Sequence, residues 1–165
     1  MTNFLVIRGT ADGGKTTTAG LLFEQLKPKA SQFKLFNWAW KEIDKLHYNS
    51  EGELIDFIAV LVIDGKVIII ISQGDKPNVL QKVLDFLKDL ISLSKITGIN
   101  ISKIDIVICC ARSRNVNGST YKMLTKRINS NNLFDFWTSK DDDISKKLSC
   151  KQKVVDELVQ KIKSL

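Results

Sequence analysis

The sequence predicts an α/β fold, a three-layer sandwich around a mostly parallel sheet with one β-hairpin, and three observations carry that expectation. β-branched runs alternate along the chain with stretches whose apolar residues recur at i+3 and i+4 spacing. Asp105 is followed by six apolar residues in a row, the mark of a strand covered on both faces. Asp64-Gly65 stands between two strongly β-branched runs, which is among the best local hairpin signals.

Taken in order, residues 3–8 contain Phe-Leu-Val-Ile and lead into a glycine, as a first strand would. From Lys15 a helical pattern runs through Leu21, Leu22 and Leu26 until Pro28 stops it. Residues 33–40 are rich in aromatics and can form a second strand, while 41–48 have helical character. The hairpin strands are 57–63 and 67–72. Pro77 suits a first helical turn, and Leu80, Val83, Leu84, Leu87, Leu90 and Ile91 then predict one amphipathic helix ending before Gly98. Residues 105–111 are the central strand, 112–119 a loop, 121–128 a helix and 133–137 a last strand. A helix over 151–165 carries Val154, Val155, Leu158, Val159 and Ile162 on one face. No repeat or Pro/Gly-rich linker divides the chain, so 1–165 reads as a single domain.

Composition narrows the function. The chain has 165 residues, 25 Lys plus Arg against 18 Asp plus Glu, a formal charge of +7 and 44% apolar residues, enough to build a core without disulfides or metals. The apolar runs 57–63 and 67–71 fall far short of the roughly 18 residues of a membrane span. Residues 4–7 are too few for the ~7–15 of a signal-peptide core. A cytoplasmic protein with no membrane partner is expected. Cys109 and Cys110 are adjacent and Cys150 is distant, so they make no disulfide framework and read as reduced small hydrophobes. His47 is the only histidine and has no companions at zinc-ligand spacing. The lysines are interleaved with acids, which suits a solvated surface tolerant of phosphorylated ligands; a nucleic-acid partner ranks last.

The one strong motif is Gly9-Thr10-Ala11-Asp12-Gly13-Gly14-Lys15-Thr16, which fits G-x-x-x-x-G-K-[ST] between the first strand and the first helix. Glycines let the backbone curl so that several N–H groups point inward, and the helix presents its positive end to a bound anion. Lys15 would neutralise the β and γ phosphates, Thr16 would offer its hydroxyl to Mg²⁺, and Thr17 would reach the α phosphate.

On these eight residues the chain resembles the P-loop NTPase superfamily, and the resemblance implies a P-loop-type fold that binds a nucleoside triphosphate with Mg²⁺ and transfers or hydrolyses its γ phosphate. The hairpin followed by Ser72-Gln73-Gly74-Asp75 invites comparison with small GTPases, which carry Asp-x-x-Gly there; the first aspartate is missing. The Asn-Lys-x-Asp-like string Ser102-Lys103-Ile104-Asp105 stands before its strand instead of after it, which argues against guanine. A partition-type ATPase loop would place lysine where this chain has Thr10. The chain is therefore most similar to the compact kinase-like members. ATP is the expected nucleotide and GTP the alternative, with a hydroxyl-bearing or phosphorylated small molecule, or water, as acceptor.

In open α/β sheets, ligands sit at the carboxyl ends of the strands. If the second hairpin strand runs parallel to the first strand, Ser72, Gln73 and Asp75 emerge beside the phosphate loop. Asp75 is then the candidate general base or magnesium-water carboxylate, with Ser72 a weaker candidate for a magnesium water. Arg112 and Arg114 leave the carboxyl end of the 105–111 strand and can clamp or stabilise a transferring phosphoryl group. Asp12 can face an attacking hydroxyl, or be a turn residue. Ser119 and Thr120 can cap the next helix. Trp38 and Trp40 are better read as core than as a wall for a flat ligand. The absent aspartate also keeps open a second reading, a nucleotide-dependent switch with little or no turnover.

Overall fold

In the computed structural model of the protein, residues 1–9, 14–138 and 144–165 are described, with side chains in the last segment from Cys150 onward. The elements run β1 (Asn3–Gly9), α1 (Lys15–Leu26), β2 (Gln32–Phe36), β3 (Glu42–Ile43), β4 (Ile58–Ile63), β5 (Lys66–Ile71), α2 (Pro77–Phe86), α3 (Leu90–Thr97), β6 (Ile106–Arg112), α4 (Thr120–Arg127), β7 (Leu133–Trp137) and α5 (Ile144–Ser164). The seven strands form one sheet in the order β3-β2-β4-β5-β6-β1-β7.

The sheet is mixed, not mostly parallel. β1 pairs parallel with β6 and β7, and β5 parallel with β6, whereas β2–β3, β2–β4 and β4–β5 are antiparallel. The difference arises outside the hairpin, where β2 joins the free edge of β4 and β3 folds back on β2. Residues 41–48 are not helical. The Asn37 side chain accepts from the Ala39 and Lys41 backbone N–H groups at 2.9 and 3.0 Å, and Trp40 takes a φ of 60°, so the chain turns tightly into β3. The helix expected over 77–97 is two helices. Asp89 accepts from Ser92 N at 3.1 Å and from Ser92 Oγ at 2.7 Å, which starts α3 afresh.

Alternation along the strands fills both faces of the sheet. Leu5 and Ile7 of β1, with Ile68, Ile70, Ile106 and Ile108, pack against Leu22 and Phe23 of α1 and Val155 and Leu158 of α5. Val6, Ile69, Val107 and Cys109 face the other way, onto Leu80 and Leu84 of α2, Leu93 of α3 and Leu124 of α4. Helices thus cover both faces, with Trp38 and Trp40 packed against the second core and Trp40 tilted over Phe86 at 4.6 Å. Burial pushes the Cys109 thiol up to about 12 and the Cys110 thiol well above its ordinary value, so both remain protonated fillers. No helix among the described residues is long and apolar enough to cross a membrane.

Candidate functional site

The parallel strands β1, β5 and β6 all end at one edge of the sheet, and antiparallel β4 begins there. The ends of these strands therefore meet at the amino end of α1. Lys15, the first residue of α1, is buried; its Nζ lies 3.3 Å from the Gly9 carbonyl and 3.5 Å from Asp75 Oδ1. Gly14 precedes it as the N-cap in the left-handed region, φ 78°, where a side chain would be strained. Thr16 and the exposed Thr17 follow at the same opening. Thr10, Ala11, Asp12 and Gly13 lie outside the described residues.

Asp75 reaches Lys15 although β6 stands between β5 and β1. The reason is Gly74, which lies against the backbone of Cys110 in β6; any Cβ there would collide with the Cys110 carbonyl. The chain leaving β5 can cross the end of β6 this closely only with glycine at that position. Asp75 also accepts from Arg112 Nε at 3.3 Å, so its carboxylate is shared between the two cations. Neither arginine lines the cavity: Arg112 is linked to it through Asp75, and Arg114 is exposed in the loop beyond.

Asp56 is one of three residues that sequence reasoning missed, with Arg8 and Lys151. It precedes β4, and the register Ile58↔Ile71 sets Phe57 opposite Ser72. Ser72 Oγ accepts from Phe57 N and donates to Asp56 Oδ1, both at 2.9 Å, and Thr16 lies near enough to the same carboxylate to favour its charged form. A carboxylate thus stands next to the serine that occupies the place of the missing aspartate. Burial, reinforced by nearby Asp75, holds the Asp56 carboxyl above the ordinary carboxylate range against the opposing influence of Ser72 and Thr16. Only the strand pairing could reveal this, since Asp56 and Ser72 are sixteen positions apart.

These groups line a cavity of about 560 Å³ with Gly14, Gln73 and, from α5, Lys151. Gln73 Oε1 is buried without a hydrogen-bond partner among the described residues. The outer wall is a turn over 48–54, bridged between Tyr48 and Leu54 and held by Asn49 Oδ1, which accepts from Glu51 N and Glu53 N at 2.9 Å. Leu54 seats this turn on α1 by filling the space above Gly20.

A second cluster holds the end of β1 in place. Arg8 is buried between the rings of Tyr121, 3.5 Å away, and Trp137, 4.3 Å away. It pairs with Asp135 at 3.3 Å and donates to the Ser113 carbonyl at 2.7 Å. Ser113 N donates to the Gly9 carbonyl at 3.0 Å and Thr138 N to the Arg8 carbonyl at 2.8 Å, tying the chain after β6 and β7 to the mouth of the loop. Ser119 caps α4 by accepting from Lys122 N, as expected of it.

Among the described residues no three His, Cys, Asp or Glu side chains gather as a cage for a metal ion. The oxygen donors present, Thr16, Asp56 and Asp75, suit a hard cation that takes its remaining oxygens from phosphate and water, as Mg²⁺ does. Comparison with known protein families, with curated proteins and with solved structures gives no match.

Proposed function

We propose that the protein binds a nucleoside triphosphate, ATP first and GTP as the alternative, and is a Mg²⁺-dependent P-loop phosphotransferase or hydrolase acting on a small acceptor or water. The observation that carries this reading is the convergence on one motif. Lys15 and Thr16 open the helix that follows the G-x-x-x-x-G-K-T loop, and Asp56, Ser72 and Asp75 arrive beside them from two other strands. Thr16, Asp56 and Asp75 would hold Mg²⁺, whose charge would help neutralise the bound phosphates. Lys15 leaves Asp75 to pair with the β and γ phosphates, Arg112 stabilises the transferred charge, and Arg114 can reach it only from the exposed loop. Asp75 has two alternative roles there: holding a magnesium-bound water or, once released from Lys15, accepting the proton of the attacking hydroxyl. Gln73 Oε1, without a partner among the described residues, is a ready acceptor for a water or an acceptor hydroxyl.

The test is calorimetric titration of ATP and of GTP, each with and without Mg²⁺, into the wild type and Lys15→Ala, with a turnover assay on the same samples. Magnesium-enhanced ATP binding that disappears in Lys15→Ala, with turnover, is the expected result. No binding of either nucleotide overturns the reading. One observation favours a second reading: Asp75 is already paired with Lys15, so a phosphate that takes over Lys15 would loosen the segment 73–76, as a switch would. Binding without turnover would select that module.

A further inference from the structure

Helix α5 buries Val154, Val155, Leu158, Val159 and Ile162 against α1 and the sheet. One turn before Val154 and Val155, the same inward stripe is occupied by Lys151. Its side chain lies across Gly14: a Cβ on that glycine would collide with Lys151 Cε, and the ammonium Nζ is 3.2 Å from the same point. Lys151 therefore lines the cavity together with Lys15, Thr16 and Thr17. Helix α1 meets it with no acidic residue in its first turn and no side-chain cap. Two lysines thus stand at the positive end of one helix, where a cation is disfavoured unless an anion joins it. Packing alone would be served better at this inward position by the Val, Leu and Ile used along the rest of the stripe. Of the described carboxylates that line the cavity, Asp56 is engaged by Ser72 and Asp75 by Lys15 and Arg112, while Glu53 belongs to the 48–54 turn of the outer wall.

We propose that Lys151 is a second phosphate-binding side chain, supplied by the C-terminal helix, and that the ligand is a polyphosphate whose charge is shared between Lys15 and Lys151. The inference rests on the phosphate-loop reading above and deepens it. It makes α5 part of the binding site, so that occupancy ties α5 to the start of α1.

The experiment titrates inorganic tripolyphosphate, and separately ATP, into the wild type, Lys15→Ala, Lys151→Met and Lys151→Arg at two salt concentrations. Methionine keeps the aliphatic stem over Gly14 and removes the charge; arginine keeps the charge. Lys151→Met is expected to bind tripolyphosphate about tenfold more weakly, the loss of one charge-assisted contact, and with a shallower salt dependence. Lys151→Arg should restore most of that affinity. Should Lys151→Met not fold, judged by its unfolding transition, Lys151→Gln replaces it. If wild type and Lys151→Met bind alike while Lys15→Ala does not bind, this inference falls and the phosphate-loop reading stands. Equal losses in Lys151→Met and Lys151→Arg would make the role one of packing and also overturn it. A wild type that binds neither probe overturns both.

Discussion

The two edges of the central sheet each carry a cavity of comparable size, about 620 Å³ at the amino ends of β1 and β6 and about 560 Å³ at the carboxyl ends. The first has Phe4, Leu84, Leu87, Leu90, Ile104 and Val107 in its wall, and two of its three lining Lys and Arg side chains are paired, Arg127 with Asp85 at 2.6 Å and Lys103 with Asp105 at 3.4 Å, while Lys88 is exposed. The second brings together Lys15, Thr16, Asp56, Ser72, Asp75 and Lys151, with a buried amide oxygen that has no partner among the described residues. Volume therefore does not distinguish the two. Topology does, because three parallel strands discharge polar loop residues at the carboxyl edge while antiparallel β4 adds Asp56 there.

Four substitutions would break or sharpen this contrast. Gly74→Ala should have the largest effect, since the Cys110 carbonyl occupies the place of the added methyl; a loss of about 3 kcal/mol in urea unfolding is expected, the scale of severe overpacking. An unchanged unfolding midpoint would show that the crossing over β6 is looser than described. Lys15→Ala should weaken ATP binding about a hundredfold, near 2.7 kcal/mol, while the protein still unfolds cooperatively. Retained affinity would take the carboxyl edge out of consideration.

Asp56→Asn should do two opposite things. It should weaken the magnesium enhancement of ATP binding about tenfold, near 1.4 kcal/mol, and it should raise the thermal midpoint at neutral pH, because a partly buried charge beside Asp75 disappears. The sign with pH follows from the raised carboxyl. The folded wild type is penalised where Asp56 is ionised, and the penalty is relieved as pH falls through its raised value, so the gap between the two proteins should close towards acid. A gap that widens on acidification would show that Ser72 and Thr16 outweigh burial. The smallest effect is expected at the other edge. Lys103→Ala breaks an exposed ion pair and should change stability by less than ~1 kcal/mol, leaving ATP affinity within twofold. A larger change in affinity would implicate the amino edge after all.

Much of the scaffold was legible because it rests on local signals. The hairpin at Asp64-Gly65, the apolar strand before Arg112, the strand over 133–137 and the apolar stripe of α5 were all visible as turn chemistry or periodicity, and each is found. What failed did so where short-range polar bonds overrode periodicity. Asn37 folds the chain into β3, and Asp89 ends one helix by capping another. Of the site, Lys15, Thr16, Ser72, Asp75 and Arg112 were named from motif and strand-end arguments, and the structure groups Lys15, Asp75 and Arg112 within ion-pair distance. Asp56, Arg8 and Lys151 were not, since each acquires its neighbours from a distant strand or helix.

What the amino-acid sequence determined alone is therefore the G-x-x-x-x-G-K-T motif, the hairpin and the apolar faces, features whose physics acts between residues a few positions apart. Only the tertiary structure decided that β6 separates β5 from β1, that a glycine lets Asp75 cross it, and that Asp56 and Lys151 join the same cavity. Those placements depend on strand register and on helix packing against the sheet, which are settled by burial across the whole core and leave no local trace along the chain.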